Sequence, residues 1–154
     1  MLHRHLSGLT TGHTLILVTL WLATVLSITF STPASAQSLK AYKSSGSLVF
    51  QTDGGSVSNA HGATIGKIEG NSYSSAGGSL KARLEDGKLY NASGSLVAKF
   101  DGGSIYNAHG SLIGKLDNES LSNSHGAGIG KIEGAGGPDD PATVFLASLL
   151  LGII

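Results

Sequence analysis

Apolar and polar positions alternate through the middle of the chain in blocks that recur every sixteen residues. Ser111-Leu-Ile-Gly-Lys-Leu-Asp117 and Ala127-Gly-Ile-Gly-Lys-Ile-Glu133 are copies of a stretch of about seven residues, and Ser56-Val-Ser58, Lys88-Leu-Tyr90 and Ser104-Ile-Tyr106 are copies of a shorter one. Alternation is the period of a β-strand, whose successive side chains point to opposite faces. Gly46, Gly62, Gly78, Gly94, Gly110 and Gly126 mark the period without gap or insertion. A position that admits only glycine in six copies needs positive φ or close backbone approach. This glycine closes a polar loop, as in Asn59-Ala-His-Gly62 and Asn107-Ala-His-Gly110. A second turn, Asp101-Gly-Gly103 or Glu69-Gly-Asn71, has the composition of a tight hairpin. Each repeat therefore predicts two strands and two turns, and six repeats predict twelve strands.

The repeat also assigns faces. Five residues after the glycine stand Gln51, Lys67, Arg83, Lys99, Lys115 and Lys131; seven after it stand Asp53, Glu69, Glu85, Asp101, Asp117 and Glu133. Positions two apart share a face, so one face carries a basic and an acidic row. Six after the glycine, on the other face, are Thr52, Ile68, Leu84, Phe100, Leu116 and Ile132. Four after it the residue is tiny, Gly66, Ala82, Ala98, Gly114 and Gly130, except for Phe50. An inner face this thin requires something bulky to fill the space, because interiors pack to near-crystal density. Val49, Ile65, Val97, Ile113 and Ile129, three after the glycine, do not fit the alternation; either a β-bulge resets the register or the outer face has an apolar band. A parallel solenoid would stack the basic column into one like-charge ladder about 4.8 Å apart, which is destabilising. Antiparallel hairpins separate equivalent charges by two strands, so hairpins are the expectation.

After Gly134-Ala-Gly-Gly-Pro138 the composition changes. Asp140 as cap and Pro141 at the first helical position predict a helix that runs through Thr143-Val-Phe-Leu-Ala-Ser-Leu-Leu-Leu-Gly-Ile-Ile154, apolar on every face. Such a helix is buried in protein or in lipid. Fourteen residues span about 21 Å, short of the hydrocarbon core of roughly 30 Å. Twelve strands close to a barrel wider than side chains alone can fill, and a helix about 10 Å across suits that lumen. The predicted fold is thus mainly β: six sixteen-residue hairpin repeats in a twelve-stranded barrel around an apolar C-terminal helix, with the barrel over residues 37–137 and the helical segment over 138–154. The alternatives are a tail buried in a partner subunit or in a membrane interface.

Residues 1–36 read differently. A weakly basic start containing Arg4, an apolar run from Leu15 to Phe30 and the small-x-small ending Ala34-Ser-Ala36 form a secretory signal, with cleavage expected before Gln37. The alternative is an uncleaved membrane anchor. The expected location is the periplasm or the cell exterior or surface. The chain has no cysteine, hence no disulfide framework and no site for a lipid thioether. Ten Lys or Arg, less Arg4, leave nine against ten Asp or Glu beyond the leader. That balance argues against a nucleic-acid partner and against electrostatic docking on anionic lipid. The 118 residues that follow the leader are enough for one core without staples.

The pattern Gly-x-Ile-Tyr-Asn-x-x-Gly-x-x-Ile-Gly-Lys-Ile-Asp, closest in Gly102-Gly-Ser-Ile-Tyr-Asn-Ala-His-Gly-Ser-Leu-Ile-Gly-Lys-Leu-Asp117, resembles the β-flower proteins of bacteria over Leu39 to Gly134. The resemblance implies hairpin petals arranged radially around a shallow barrel. Five petals are the familiar form, and six are a departure. Twelve strands around an apolar helix also resemble the tubby and scramblase architecture. Neither likeness brings a catalytic residue with it.

Chemistry is sparse. His61, His109 and His125 share the column before the glycine and are the metal-ligand candidates, but Ser45, Gly77 and Ser93 occupy the same column, so a tolerant polar loop explains them as well. Glu85-Asp86 and Asp139-Asp140 are paired acids, yet the acidic column recurs in every repeat, whereas an active site is normally unique. No nucleophile elbow, phosphate loop or zinc spacing is present. Tyr42, Tyr90 and Tyr106 share a column near the loop, with Tyr73 close by; such aromatics bind ligands at a rim or pack across strands. The expectation is a monomeric, exported, non-enzymatic structural or binding protein without cofactor. Its rival is a barrel that associates with a membrane or an apolar ligand, with the helix as a displaceable plug.

Overall fold

The computed structural model describes residues 38–154; the leader and its cleavage site lie outside the described residues. Twelve strands are formed: β1 (Lys40–Lys43), β2 (Leu48–Asp53), β3 (Ser56–Asn59), β4 (Thr64–Glu69), β5 (Ser72–Ser75), β6 (Leu80–Glu85), β7 (Lys88–Asn91), β8 (Leu96–Asp101), β9 (Ser104–Asn107), β10 (Leu112–Asp117), β11 (Ser120–Asn123) and β12 (Gly128–Glu133). Each pairs antiparallel with its sequence neighbours, and β1 pairs with β12, so the sheet is a closed barrel. The helix α1 (Pro141–Leu151) follows.

Both turns behave as their composition requires. At one end of the barrel, each periodic glycine donates its N–H to the carbonyl three residues back, at 2.8–3.0 Å, and has φ between 78° and 82°. A Cβ at any of the six would meet nothing within 4 Å. The left-handed conformation, not space, excludes other residues there. This is a type I turn followed by a glycine bulge. The asparagine that opens four of the six loops holds the turn: Asn107 Oδ1 accepts from the N–H groups of His109 and Ser111, both at 3.0 Å. At the other end, Gly54-Gly55, Asp86-Gly87 and Gly102-Gly103 have positive φ at both positions, the two-residue hairpin geometry.

The column that broke the alternation is a β-bulge. In all six repeats the register slips by one residue between the second and fourth positions after the glycine, leaving Val49, Ile65, Lys81, Val97, Ile113 or Ile129 as the extra residue. Ile65, Val97, Ile113 and Ile129 pack against the core. The outer face keeps its charges: Lys67–Glu69, Arg83–Glu85, Lys99–Asp101 and Lys131–Glu133 pair along single strands. Exposed pairs of this kind add little stability. The barrel is held from inside.

Inside, the residue six after each glycine faces the one five before the next: Ile68 with Tyr73, Leu84 with Leu89, Phe100 with Ile105, Leu116 with Leu121. For twelve strands at usual tilt the backbone bore is about 24 Å, too wide for facing side chains to meet. Helix α1 occupies it. Thr143 through Ser148, nearly two turns covering every side of the helix, are all buried. Phe145 lies 5.9 Å from the Tyr73 ring on β5, while Leu151 and Leu150 lie over the bare positions Gly114 on β10 and Gly130 on β12. Elements on different sides of the bore thus touch one helix. The three glycines of the tiny column are each covered: Tyr73 lies over Gly66, and leucines from the helix lie over Gly114 and Gly130.

The helix enters where the two-residue turns are, since Pro138 approaches Gly103, and runs toward the glycine loops. Asp140 caps it, accepting from the N–H and the hydroxyl of Thr143 at 2.8 Å each; Pro141 is the first residue. It ends earlier than the sequence pattern predicts. Gly152 turns left-handed at φ 68° and donates to Leu149, and Ile153 donates to Ser148 at 2.9 Å, so eleven residues are helical. The buried polar groups are satisfied: Ser148 Oγ donates to the Val144 carbonyl at 2.8 Å, and Thr143 Oγ1 also accepts from Gly136.

Five petals are hairpins closed by a two-residue turn. The sixth is not. Its outgoing strand is β12 and its return strand is β1, from the opposite end of the chain, in the register that β11 takes on β10. Where a turn would stand, Leu39 is fully buried, its N–H donated to Thr52 Oγ1 at 3.0 Å, and Gly134 leads away to the helix.

Candidate functional site

The loop end does not gather its histidines. His61, His109 and His125 are exposed on three of six tips, and among the described residues no three His, Cys, Asp or Glu side chains are placed to share a metal ion. Their backbones explain their positions, since the N–H of each bonds to the loop asparagine. Of the acid pairs, Glu85 bonds to Arg83, Asp86 takes a left-handed turn position at φ 47°, and Asp140 caps the helix.

Tyr42, Tyr90 and Tyr106 stand on the outer wall, each between two strands. On one side the directly opposed residue is basic: Lys131, Arg83 and Lys99 respectively. On the other side it is leucine: Leu48, Leu96 and Leu112. Tyr73 points inward and is buried, which raises its phenol above the usual range. The three outer tyrosines thus pack across strands and do not converge.

The wall is interrupted beside the open petal. Between β11 and β12 the tyrosine–leucine pair is replaced by Ser122 and Gly128. A groove of about 730 Å³ opens there, with Ser120, Ser122, Gly128 and Gly130 along it, Asp117 on one side and Tyr42, Lys131 and Glu133 on the other. It crosses the last strand, reaching from β11 over β12 to β1, so residues nearly ninety positions apart share it. The sequence showed Tyr42, Lys131 and Glu133 as members of columns; only closure of the barrel brings them together.

Electrostatics concentrate at the same seam. Lys131 Nζ lies 3.2 Å from Glu119 Oε2 and 3.3 Å from Glu133 Oε1. Glu119 also accepts the Gly134 N–H at 2.9 Å. That backbone bond, then the hydrogen bond from Lys131, holds the Glu119 carboxyl below its ordinary value, while Glu119 and then Glu133 raise Lys131. Partial burial, then the nearby Glu133 carboxylate, raise the Tyr42 phenol. Glu119 is therefore the side-chain clasp of the petal that lacks a turn. Because its folded pKa is depressed, its contribution is present above the unfolded value near 4.5 and fades as pH falls through the lower folded value. Glu119→Gln is expected to narrow the difference between melting temperatures at pH 7 and pH 3, with the change arising at pH 7; an unchanged difference would show that the clasp does not act.

The described residues contain no helix long and apolar enough to cross a membrane, a statement that does not bear on strands. Comparison with protein-family models, with curated proteins and with solved structures gives no match to this chain.

Proposed function

We propose that this is an exported, non-enzymatic binding or structural protein that meets its partners with the outer wall of the barrel. The observation that carries the reading is the burial of Thr143–Ser148 on every side. The space in which a barrel of this width would hold a ligand is filled by the protein's own chain. The wall, by contrast, presents repeated charged and aromatic positions on a rigid scaffold, with the groove at the seam among its surface depressions. The hairpin petals also support membership of the β-flower proteins, in a six-petalled form. The protein acts as a monomer, without cofactor and without nucleic acid.

A second reading has its own observation. Leu149, Leu150, Leu151, Ile153 and Ile154 are only half-buried at the loop end, where Leu151 lies over Gly114 and Leu150 over Gly130. A helix released from the bore would present an apolar surface to a membrane or a greasy ligand. Hydrogen exchange separates the two. In detergent-free buffer, the protein purified after export from its full-length sequence is expected to protect the amides of Val144–Leu151 as strongly as those of the central strands. Fast exchange there, or solubility only in detergent, would overturn the plugged barrel in favour of the displaceable helix.

A further inference from the structure

In a repeat protein, a ligand site that is unique must lie where the copies differ. The groove at the seam is such a place: Ser122 and Gly128 remove two bulky side chains that the flanking junctions retain as Tyr106 with Leu112 and Tyr42 with Leu48. Unlike the small pair Ser58 and Thr64 between β3 and β4, they lie beside the closure of the barrel. We infer that this groove is a saccharide-binding site that takes a short stretch of a neutral polysaccharide; the inference rests on the reading of the barrel as a module that binds through its outer wall.

The lining argues for that class. A sugar ring offers an apolar C–H face and a rim of hydroxyls, each both donor and acceptor. The matching surface is one aromatic wall with donors and acceptors of both kinds beside it. Tyr42 is the aromatic wall, with the Glu133 carboxylate on the same side of the groove. Asp117 and Glu133 accept, Lys131 donates, and Ser120 and Ser122 do either. From Asp117 on β10 to Tyr42 on β1 the groove spans three strand spacings, roughly 14 Å, open at the surface and running along the strands, which admits a chain that continues past both ends.

Other classes fit less well. A peptide that adds as a strand needs a free edge, and a closed barrel has none. An apolar ligand would cover the Asp117 carboxylate and the Ser120 hydroxyl and strip their water. Phosphate or nucleic acid would meet at least as many carboxylates as ammonium groups. A divalent cation would compete with Lys131, which already bridges Glu119 and Glu133.

The test is an amide chemical-shift titration of the exported protein with chitotetraose, cellotetraose, maltotetraose and a β-1,3-glucan tetraose. At least one is expected to shift Ser120, Ser122, Gly128, Lys131 and Tyr42. Two variants should each weaken that binding at least tenfold: Tyr42→Ser, which copies the residue of three other petals, and Gly128→Leu, which restores the leucine of the column where a Cβ meets no atom. Tyr90→Ser, in the same column but outside the groove, should leave it unchanged. No shift with any of the four, or shifts that survive both groove variants, would overturn the saccharide site and leave the plugged barrel standing. Shifts in Val144–Ile154 would show the lumen opening and would overturn the outer-wall reading itself.

Discussion

Replacing Phe145 with alanine is expected to lower stability by about 3–5 kcal/mol, the usual cost of emptying a fully buried aromatic site. Phe145 is completely buried and stacks at a tilt on Tyr73, across the bore from the strands that Leu150 and Leu151 touch. The cost falls at the high end because the cavity cannot collapse. Barrel walls closed by hydrogen bonds on both edges of every strand cannot move inward to fill it. For a domain of roughly 120 residues, about 4 kcal/mol corresponds to a fall in Tm on the order of 15 °C. Calorimetry of the exported protein measures it. A loss below about 1 kcal/mol would mean that the helix does not occupy the bore. Leu149→Ala, at a half-buried position near the helix end, should cost visibly less.

Leu39→Ala is expected to cost about 2–4 kcal/mol and to act locally first. Leu39 is fully buried, yet it sits where the other petals have a turn residue such as Gly55, Gly87 or Glu119. The seam between β1 and β12 is the one junction whose two strands are not joined nearby along the chain, so nothing covalent keeps them together when they part. Loss of the leucine anchor should therefore raise exchange of the β1 and β12 amides before the unfolding midpoint is reached, while β6 to β9 remain protected. Uniform acceleration across all twelve strands would show instead that the barrel opens only as a whole.

Most of the fold was legible because its signals are local and repeated. Six glycines at one spacing, Asp-Gly and Gly-Gly turns and rows of like residues all report on hairpins, and the Asp140-Pro141 start reports on the helix. The features that were not legible are those set by neighbours in space. Ile113 and its equivalents are apolar in a column that alternation directs outward, and only the shifted pairing of Leu112 with Tyr106 and Gly114 with Ile105 shows that they belong to bulges. The end of the helix was hidden because Gly152 stands among apolar residues, where its left-handed φ leaves no mark in hydropathy. The groove was hidden most deeply. Ser122 and Gly128 are small residues with no signal of their own in the sequence, and their effect depends on Tyr42, which reaches them only across the closure.

The fit between bore and helix has a consequence for how such a chain can evolve. Tandem repeats usually gain and lose copies freely, because each unit rests on its neighbours alone. Here each copy adds two strands, and the diameter of a barrel grows with strand number. Deleting one copy would narrow the bore by about one sixth and expel the helix; adding one would leave a gap around it. The C-terminal segment thus acts as a gauge on the gene. Individual residues on the wall are free to drift, as Tyr, Ser and Leu do between petals, but the number of petals can change only together with the segment that plugs them.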